Sequence, residues 1–571
     1  MVPSANALTI AFILVASVVF GALFKPTPAL TKKQLIGGLR DLSRSTRSPD
    51  AAPPRVAVFF NGCVDLVTAA LPVLDAAVPE SEVSTPPGAN VEVITTGSEL
   101  VASFRDAFES GAACERVVRN GALFAKLRAA AEAVDAVETT GGNAALISNR
   151  LAIDGSSVLL GAPVGASLRK KLHSRVKPIY LGNAGGSDDI HLILEYAAGE
   201  VWTQRPAASK APRANRFIVT EPAPSLDGEA LGDFIAQARA FRPQLVVLSG
   251  IHLLEAMSDE RREGELAKAE GAVAALRAND DGVVPMIHLE LASLAGLDFM
   301  EAIGERMLRA LRCESLGLNE QELAHAFVAL RGNVSTLPTP AASGAKEGKL
   351  NPLKLVRSLK SGAQRLVAAA RAKLGGGGGG GAEGAAAVEG AAEESRRGVY
   401  AARLNASEAG RLDALTSKLP NLDAVVAALL HVFDFAGTSL GRVHFHSLAY
   451  HVIAVRSSHE AQWPDAAAAA ARGSVATTIQ ACGDEAAPDA VRALHGDDLE
   501  LLYRPLSGAT VRGVKLPPID AASPVAEWTD TQSGVRFALA PVLVCKKPVR
   551  TVGLGDTISG AAMHRHLVGF A

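Results

Sequence analysis

Short apolar runs that alternate with amphipathic helical patterns restrict the fold of this chain more than any other feature. Six runs rich in Val, Ile and Leu have Gly or Pro near their ends, at 55–60, 157–164, 191–196, 216–220, 244–250 and 283–291. Helical patterns such as 228–241 and 297–311 separate or follow them. Apolar strands that alternate with helices are typical of a largely parallel sheet covered by helices on both faces. We therefore predict an α/β protein.

The alternation stops after Leu330. Residues 335–400 contain Pro, Lys and Ala, then seven consecutive glycines at 375–381, then a tract of Ala and Glu. Such a segment cannot bury enough apolar surface to offset the entropy lost on ordering, so we predict a disordered, low-complexity insertion. Patterned sequence resumes after it. We expect one fold in two parts, 31–334 and 401–571, and not two domains joined by a linker.

The N-terminus carries an uncharged apolar run of eighteen residues at 7–24. This length lies between the core of a signal peptide and a short membrane span. A buried helix of the fold is the less favoured alternative because the run has no polar face. We expect residues 1–30 to be a signal peptide or a membrane anchor, which predicts the endoplasmic reticulum lumen or the secretory pathway, with membrane contact if the segment is retained.

Charge and cysteine content exclude several classes of protein. The formal net charge is −2, so no basic field indicates a nucleic-acid partner. The five cysteines are scattered and form no CxxC pair, which argues against a zinc site and against a disulfide scaffold. A small-molecule substrate is the remaining expectation.

A Gly-x-Gly-Asp turn at 553–556 precedes a helical pattern near the C-terminus. Backbone N–H groups of such a turn, with the positive end of the helix, can bind an anion. Asp556 beside that anion could take a proton from a hydroxyl group, as in phosphoryl transfer to an alcohol. A simple glycine turn with Asp556 as the helix N-cap explains the motif equally well. Neither a Walker A motif nor the protein-kinase motifs are present.

Further polar residues lie where predicted strands end. Glu290 ends one strand, and Asn319 and Glu322 lie where another strand is followed by a helix. Ligands of open α/β sheets bind at the carboxyl ends of parallel strands. Two carboxylates and an amide suit Mg²⁺, which keeps several waters. A capping or surface role is the simpler alternative for each glutamate.

Eight motifs together carry a resemblance to a known family. In chain order they are "GGNAALISNRLA" (141–152), "IHLILEY" (190–196), "APRANRFI" (211–218), "VVLSGIHLLE" (246–255), "HLELAS" (288–293), "SLGLNEQEL" (315–323), "HFHSLAYH" (444–451) and "PVLVCKKPVRTVGLGDTISG" (541–560). They resemble the ADP-dependent glucokinases of the ribokinase-like superfamily, from about residue 55 to the end and outside the insertion.

The resemblance implies a ribokinase-like large domain, with a central mostly parallel sheet flanked by helices, and a smaller α/β lid from roughly 65–225. The implied reaction transfers the β-phosphoryl group of ADP to the 6-hydroxyl of D-glucose, giving glucose 6-phosphate and AMP. We expect a monomer with Mg²⁺ as the cofactor.

The resemblance also implies roles for individual residues. Asp556 would be the catalytic base, with Gly553 and Gly555 in the anion hole, and Glu290, Glu322 and Asp556 would hold Mg²⁺. The nucleotide would contact Arg216, Asn319, His446, Ser447, Cys545 and Gly555. The sugar would contact Asp65, Glu115, Gly141, Gly142, Asn143 and His191.

Two of these assignments compete with simpler ones. From its spacing alone Glu115, expected at a loop edge of the lid, would pair with Arg116 or Arg119 at the surface. His444, His446 and His451 suggest a metal site, but histidines on a strand are more often hydrogen-bonded core residues.

Two other functions are compatible with the pattern. An ADP-dependent 6-phosphofructokinase of the same superfamily would need basic residues at the far end of the sugar, where the carboxylate of Glu115 would repel a phosphate. A catalytically silent, membrane-tethered binding protein is disfavoured by the intact motifs that contain Glu290, Glu322 and Asp556.

Overall fold

The computed structural model describes most of the chain outside the N-terminal segment and the insertion. The described residues are 32–44, 51–80, 91, 93–111, 114–181, 186–203, 208–212, 214–222, 228–255, 257–278, 284–292, 294, 296–338, 406–483, 499–503, 510–546, 548 and 552–569. The predictions for residues 1–30 and for nearly all of 335–400 concern residues outside these ranges.

The strands, in chain order, are β1 (Arg55–Phe59), β2 (Cys63–Ala69), β3 (Val93–Ile94), β4 (Cys114–Val118), β5 (Val137–Gly141), β6 (Ser157–Ala162), β7 (Val176–Tyr180), β8 (Ile190–Tyr196), β9 (Val201–Trp202), β10 (Ser209–Lys210), β11 (Asn215–Thr220), β12 (Leu245–Leu248), β13 (Met286–Glu290), β14 (Ser315–Asn319), β15 (Arg442–His446), β16 (Tyr450–Arg456), β17 (Leu499–Leu501), β18 (Thr510–Val511), β19 (Val514–Lys515), β20 (Ala526–Asp530), β21 (Val535–Pro541) and β22 (Leu543–Cys545).

The α-helices are α1 (Lys32–Ser43), α2 (Ala70–Ala77), α3 (Gly97–Ser110), α4 (Gly121–Ala133), α5 (Asn143–Ile153), α6 (Ala166–Lys171), α7 (Gly228–Phe241), α8 (Asp259–Arg277), α9 (Leu297–Ile303), α10 (Glu320–Ala329), α11 (Ala406–Thr416), α12 (Leu422–Ala436), α13 (Ala466–Cys482) and α14 (Leu554–Val568). A π-helical stretch, Gly304–Ala310, continues α9. The predicted helix 297–311 is therefore present but changes its hydrogen-bond pattern halfway.

A ten-stranded sheet forms the large domain, in the strand order β20, β21, β16, β15, β14, β13, β12, β1, β6, β7. Neighbouring strands from β15 to β7 are parallel. The strands β16, β21 and β20 extend the sheet with antiparallel pairs. Central strands such as β1 and β12 are apolar and almost wholly buried, as parallel strands covered on both faces must be. The predicted α/β fold with a mostly parallel sheet is confirmed.

Helices flank the large sheet in packed groups. One group consists of α5, α13 and α14, a second of α7 and α8, and a third of α9, α10 and α12. The segment Leu422–Ser439, which contains α12, has the length and apolar composition of a membrane span, but α12 packs its apolar side chains against α10 and α11. A core helix can have the same length and apolar composition as a membrane helix.

A second, six-stranded sheet forms the lid, in the order β3, β4, β11, β8, β2, β5. The chain enters it after β1 and leaves it after β5, where Gly142 leads into α5. The lid is smaller than the stretch 65–225 that the resemblance implied, because β6 pairs with β1, and β7 with β6, in the large sheet. Two predicted strands, at 191–196 and 216–220, lie in the lid as the antiparallel pair β8 and β11.

The two ends of the predicted insertion meet on the surface of the large domain. The guanidinium group of Arg411 in α11 donates a hydrogen bond to the carbonyl of Leu337. Residues 335–338, which we predicted to be the start of the disordered insertion, therefore belong to the folded part of the chain. Both Leu337 and Leu412 are buried. The fold is therefore closed across residues 339–405.

Candidate active site

The glycine turn before α14 places Asp556 in the third position of the helix. Gly553 is the N-cap residue and has φ = 72°, a left-handed conformation that favours glycine. Asp556 is buried, and its Oδ1 accepts a hydrogen bond from Nδ2 of Asn143 at 2.9 Å. The alternative that Asp556 is an ordinary N-cap is therefore wrong.

The environment of Asp556 suits a base that works near neutral pH. Burial, and next the charge of Glu290, raise the pKa of Asp556 to about 7, while the hydrogen bond from Asn143 opposes this shift. A carboxylate with a raised pKa is a stronger base than a free one, and it remains substantially ionised at neutral pH.

Glu290 ends β13 beside the bare backbone of Gly317 in β14, where a Cβ atom would lie 2.0 Å from its Oε2. Its Oε2 lies 2.7 Å from Nε2 of His288, and its Oε1 accepts a hydrogen bond from Oγ of Ser559 at 2.8 Å. Nε2 of His446 lies 3.6 Å from Oε1. Burial alone would raise the pKa of Glu290, but the hydrogen bonds and charges of His288 and His446 lower it to about 2. Glu290 is therefore a fixed, ionised carboxylate.

A chain of buried hydrogen bonds runs from Glu290 into the large sheet. Nδ1 of His288 lies 2.8 Å from Oγ of Ser315, to which Nη1 of Arg442 also donates, at 2.9 Å. The chain continues from Arg442 to His444, from His444 to His451 and from His451 to Ser474. His444 and His451 are thus hydrogen-bonded core residues, and their burial first of all lowers their pKa values.

Asn319 and Glu322 form a capping box at the start of α10. Oδ1 of Asn319 accepts from the backbone N–H of Glu322, while Oε2 of Glu322 accepts from the N–H of Asn319. Burial raises the pKa of Glu322 to about 7. Asn319 is paired with His446 in the sheet register, so both lie at the same edge as Glu290. We call this group, Glu290, Asn319, Glu322, His446 and Asp556, the transfer edge.

The other predicted nucleotide residues have different surroundings. The ring of His446 lies against Gly555, where a Cβ atom would meet its Cε1 at 2.8 Å. The hydroxyl of Ser447 donates to the carbonyl of Tyr450 and so holds the turn between β15 and β16. Cys545 forms a disulfide with Cys482, so its thiol is not free. Arg216 lies in the lid, within the electrostatic field of Glu195, Asp65 and Glu115.

The predicted sugar residues gather where the lid meets the large domain. Asp65 and His191 are paired across β2 and β8. Gly141 ends β5 opposite Cys63, and α5 begins at Asn143, which contacts Asp556. We call the group Asp65, Glu115, Gly141, Gly142, Asn143 and His191 the sugar end. Asn143 joins it to the transfer edge.

Acidic residues dominate the sugar end. Nε2 of His191 lies 3.3 Å from Oδ2 of Asp189. Burial would lower the pKa of His191, but the charges of Asp189, Asp65 and Glu115 raise it to about 9. Glu115 lies in β4 and not in a loop, and it is close enough to act on this histidine. The assignment of Glu115 to a surface pair with Arg116 or Arg119 is therefore not favoured.

Sequence reasoning missed several residues that build this site. Asn61 lies under Gly142, whose φ is 76° and whose Cβ atom would meet Oδ1 of Asn61 at 2.1 Å. The sequence could have indicated His288, because it lies two residues before Glu290 and therefore on the same face of β13. Ser559, Arg442 and Asp189 reach the site through tertiary contacts, for which the sequence gives no local signal.

Comparisons with known proteins agree with this geometry. The model of the ADP-specific phosphofructokinase/glucokinase conserved region matches residues 54–365 and 399–565. The ADP-dependent glucokinase of Bos taurus is 30% identical over 528 residues, which cover 90% of this chain and 85% of that protein. The probable ADP-dependent glucokinase of Caenorhabditis elegans is 28% identical over 529 residues, covering 91% and 86%.

Solved structures share the fold at low sequence identity. An ADP-dependent kinase in complex with fructose 6-phosphate and ADPβS has a TM-score of 0.60 at 17% identity, covering 94% of this chain and 98% of that one. The last common ancestor of ADP-dependent phosphofructokinases from Methanosarcinales has a TM-score of 0.57, also at 17% identity, with the same coverage. The fold is thus that of ADP-dependent kinases. With the family match, the chain belongs to the ADP-specific phosphofructokinase/glucokinase family.

Proposed function

We propose that the chain transfers the β-phosphoryl group of ADP to the 6-hydroxyl of D-glucose, releasing glucose 6-phosphate and AMP. The observation that carries this proposal is the position of Asp556. It follows an anion-binding turn, has a pKa raised to about 7, and contacts Asn143 at the sugar end. The two relatives named ADP-dependent glucokinase and probable ADP-dependent glucokinase support the choice of donor and acceptor.

In this reaction Asp556 takes the proton of the sugar hydroxyl, and the oxygen of that hydroxyl attacks the β-phosphorus. The bond from that phosphorus to the bridging oxygen breaks, and AMP leaves. Backbone N–H groups of the turn at Gly553 and Gly555, with the start of α14, stabilise the phosphoryl oxygens. We propose that Arg216, Asn319, His446, Ser447 and the backbone at Cys545 position the nucleotide.

Mg²⁺ fits the transfer edge because three buried carboxylates, those of Glu290, Glu322 and Asp556, act on one another there. The charge of Glu290 raises the pKa of both Asp556 and Glu322, so a cation between them would relieve repulsion. We propose that Glu290, held by His288 and Ser559, binds the ion with Glu322 and Asp556, partly through water. When bound, the ion would neutralise charge on the transferred group. A chelator should abolish turnover and added Mg²⁺ should restore it; undiminished turnover in the chelator would overturn this assignment.

The acids of the sugar end favour glucose over fructose 6-phosphate. Asp65, Asp189 and Glu115 act together on His191, and a second phosphate would have to bind within their field. Carboxylates instead accept hydrogen bonds from sugar hydroxyls. An ADP-dependent 6-phosphofructokinase would have to bind the phosphate of its sugar against these carboxylates, so this alternative is disfavoured.

An assay of the purified chain tests the proposal. ADP and ATP are each offered with glucose, other hexoses and fructose 6-phosphate, and AMP and sugar phosphate are measured. We expect AMP and glucose 6-phosphate in equal amounts with ADP and glucose, and little turnover with ATP. Turnover of fructose 6-phosphate in preference to glucose would replace the proposal with the phosphofructokinase. No turnover of any pair would favour the silent binding protein.

We also propose that the chain enters the secretory pathway through residues 1–30 and acts as a monomer. The apolar run at 7–24 supports the first statement. Protease protection in microsomes tests it, since a chain translocated into the lumen resists digestion until detergent is added. Light scattering on the purified chain tests the second, and a mass near twice 59.0 kDa would contradict it.

A further inference from the structure

One group of side chains at the sugar end has the composition of a metal site. Cys63, Asp65 and His191 each bring a potential ligand atom, and these three atoms lie within 4.8 Å of one another. Among the residues that the structure describes, no other three His, Cys, Asp or Glu side chains form such a group. The set combines sulfur, oxygen and nitrogen, whereas the transfer edge offers mainly oxygen.

The backbone fixes this arrangement. Cys63 and Asp65 lie two residues apart in β2, so their side chains are on the same face of the lid sheet. Asp65 is paired with His191 across the parallel strands β2 and β8. The three side chains are 1%, 3% and 7% exposed. Strand register therefore brings the three side chains close together, and their proximity does not depend on flexible surface rotamers.

Gly141 leaves room for the group. It is paired with Cys63 across β2 and β5, and a Cβ atom at this position would lie 1.9 Å from Oδ1 of Asp65 and 2.7 Å from Sγ of Cys63. Any side chain here would displace both atoms. The glycine thus permits the close approach of Cys63 and Asp65, in which the Sγ–H of Cys63 donates a hydrogen bond to Oδ1 of Asp65 at 3.4 Å.

The surrounding charge favours a cation. Asp189 lies 3.3 Å from Nε2 of His191, and Glu115 is close enough to act on both His191 and Cys63. A carboxylate beside a ligating histidine commonly orients the ring in metal sites. A thiolate and the carboxylate of Asp65 would together balance the charge of a divalent ion.

We propose that Cys63, Asp65 and His191 bind a thiophilic divalent cation, with Zn²⁺ as the expected ion, and that the ion and the sugar exclude each other there. Zn²⁺ is commonly held by sulfur, nitrogen and carboxylate oxygen, and three protein ligands leave a fourth position for water. Binding displaces the proton of the thiol and that of the imidazolium. The mutual exclusion rests on the proposed sugar-binding role of Asp65 and His191, but the metal site itself does not.

Cobalt spectroscopy on the full chain tests the metal site without reference to activity. Co²⁺ is added to the metal-free protein, and the thiolate-to-Co²⁺ charge-transfer band and the visible bands of tetrahedral Co²⁺ are recorded. We expect one equivalent to bind with both features, and Zn²⁺ to displace it. Absence of the thiolate band in the wild-type chain would overturn the proposal, whatever the behaviour of any variant.

Variants then locate the site. Cys63→Ser and Asp65→Asn are nearly isosteric substitutions. Loss of a residue that only hydrogen-bonds to a metal ligand typically costs 10–100-fold in affinity, so loss of a ligand should weaken Zn²⁺ binding by at least this factor. The matched controls Cys114→Ala and Cys313→Ala remove the other cysteines of the described residues that lie outside the disulfide, and they should leave the band unchanged. A band that is lost in a control variant and retained in Cys63→Ser would contradict the assignment.

Competition with sugar separates the two proposals. Glucose added to the Co²⁺-loaded chain should abolish the band if ion and sugar share the site. A band that depends on Cys63 but persists at saturating glucose would leave the metal site standing and overturn the exclusion. Kinase activity with no Co²⁺ binding would overturn the metal site and leave the proposed function intact.

Discussion

The transfer edge and the sugar end hold their charges in different ways. At the transfer edge, Glu290 is hydrogen-bonded to His288 and Ser559, and His288 continues the contact to Ser315 and Arg442 inside the sheet. At the sugar end, three acids surround His191, and positions are set by strand pairing and by glycines. The first region is held by buried hydrogen bonds between side chains, and the second by the backbone.

This difference matches the role that we propose for each region. The transfer edge contains two nearby acids whose pKa values are pushed apart, to about 2 for Glu290 and about 7 for Asp556. Such a separation assigns two roles to one residue type, a permanent anion for a cation and a base for a proton. The sugar end instead presents charged hydrogen-bond partners, which suit a neutral polyol. Variants of the two regions should therefore affect kcat and KM differently.

Asp556→Asn should have the largest effect. The substitution keeps the shape of the side chain and removes the base, so kcat should fall by roughly 10²–10⁴-fold. Glucose binding, measured by calorimetry, should remain close to that of the wild type, because the sugar end is unchanged. A variant that keeps more than about a tenth of the wild-type kcat would show that another group takes the proton.

Glu115→Gln should act on KM for glucose. The loss of a charged hydrogen bond costs about 1.5–3 kcal/mol, so this KM should rise roughly ten- to a hundredfold while KM for ADP changes little. Glu132→Gln, at an exposed acid of the lid helix α4, is the matched control and should behave as the wild type. If both variants have the same KM for glucose, Glu115 does not contact the sugar.

Asn143→Ala should move the pH dependence by a smaller amount. The hydrogen bond from Nδ2 of Asn143 lowers the pKa of Asp556, so its removal should raise that pKa. Because the ionised carboxylate is the active form, the acidic limb in the pH profile of kcat should shift to higher pH. On acidification the variant should therefore lose activity at a higher pH than the wild type does. A limb at the same pH in variant and wild type would mean that this bond is absent in the working enzyme.

Replacing residues 340–404 with a short Gly-Ser linker should have almost no effect. Arg411 and Leu337 already join the two ends of the insertion, and loop-closure entropy changes by only about 0.6 kcal/mol per doubling of length. Tm and kcat/KM should both match the full chain. A large loss of activity at unchanged Tm would instead give the insertion a functional role.

Local patterns predicted part of this structure. The strands β1, β6, β12 and β13 and the helix α7 follow from apolar periodicity, which is a property of neighbouring residues. The antiparallel pairing of β8 and β11 did not follow from periodicity, because pairing is set by distant segments. The span 65–225 of the lid came from the resemblance; it included β8 and β11, but also β6 and β7, which belong to the large sheet.

The candidate site also combines features that local sequence predicts with contacts between distant segments that it does not predict. The turn at Gly553 and the strand-end acids Glu290 and Glu322 were visible as motifs, and the family resemblance supplied the residues of the sugar end. The hydrogen bond from Ser559 to Glu290 joins residues 269 positions apart, and that from Arg442 to Ser315 joins residues 127 positions apart, so no local pattern specifies them. Cysteine spacing gave no sign of the group formed by Cys63 with Asp65 and His191, because two of its three side chains are not cysteines.

The pH dependence of kcat/KM for glucose, measured at saturating ADP for the wild type and for Asp556→Asn, tests the central claim most directly. For the wild type we predict an acidic limb above the ordinary pKa of an aspartate, because burial raises the pKa of the base; the proposed Mg²⁺ would offset the effect of Glu290 and bring the limb below the value of about 7 that holds without the ion. The residual activity of Asp556→Asn should lack this limb. A wild-type limb at the ordinary aspartate value, or the same limb in Asp556→Asn, would contradict the assignment of Asp556 as the base at the transfer edge.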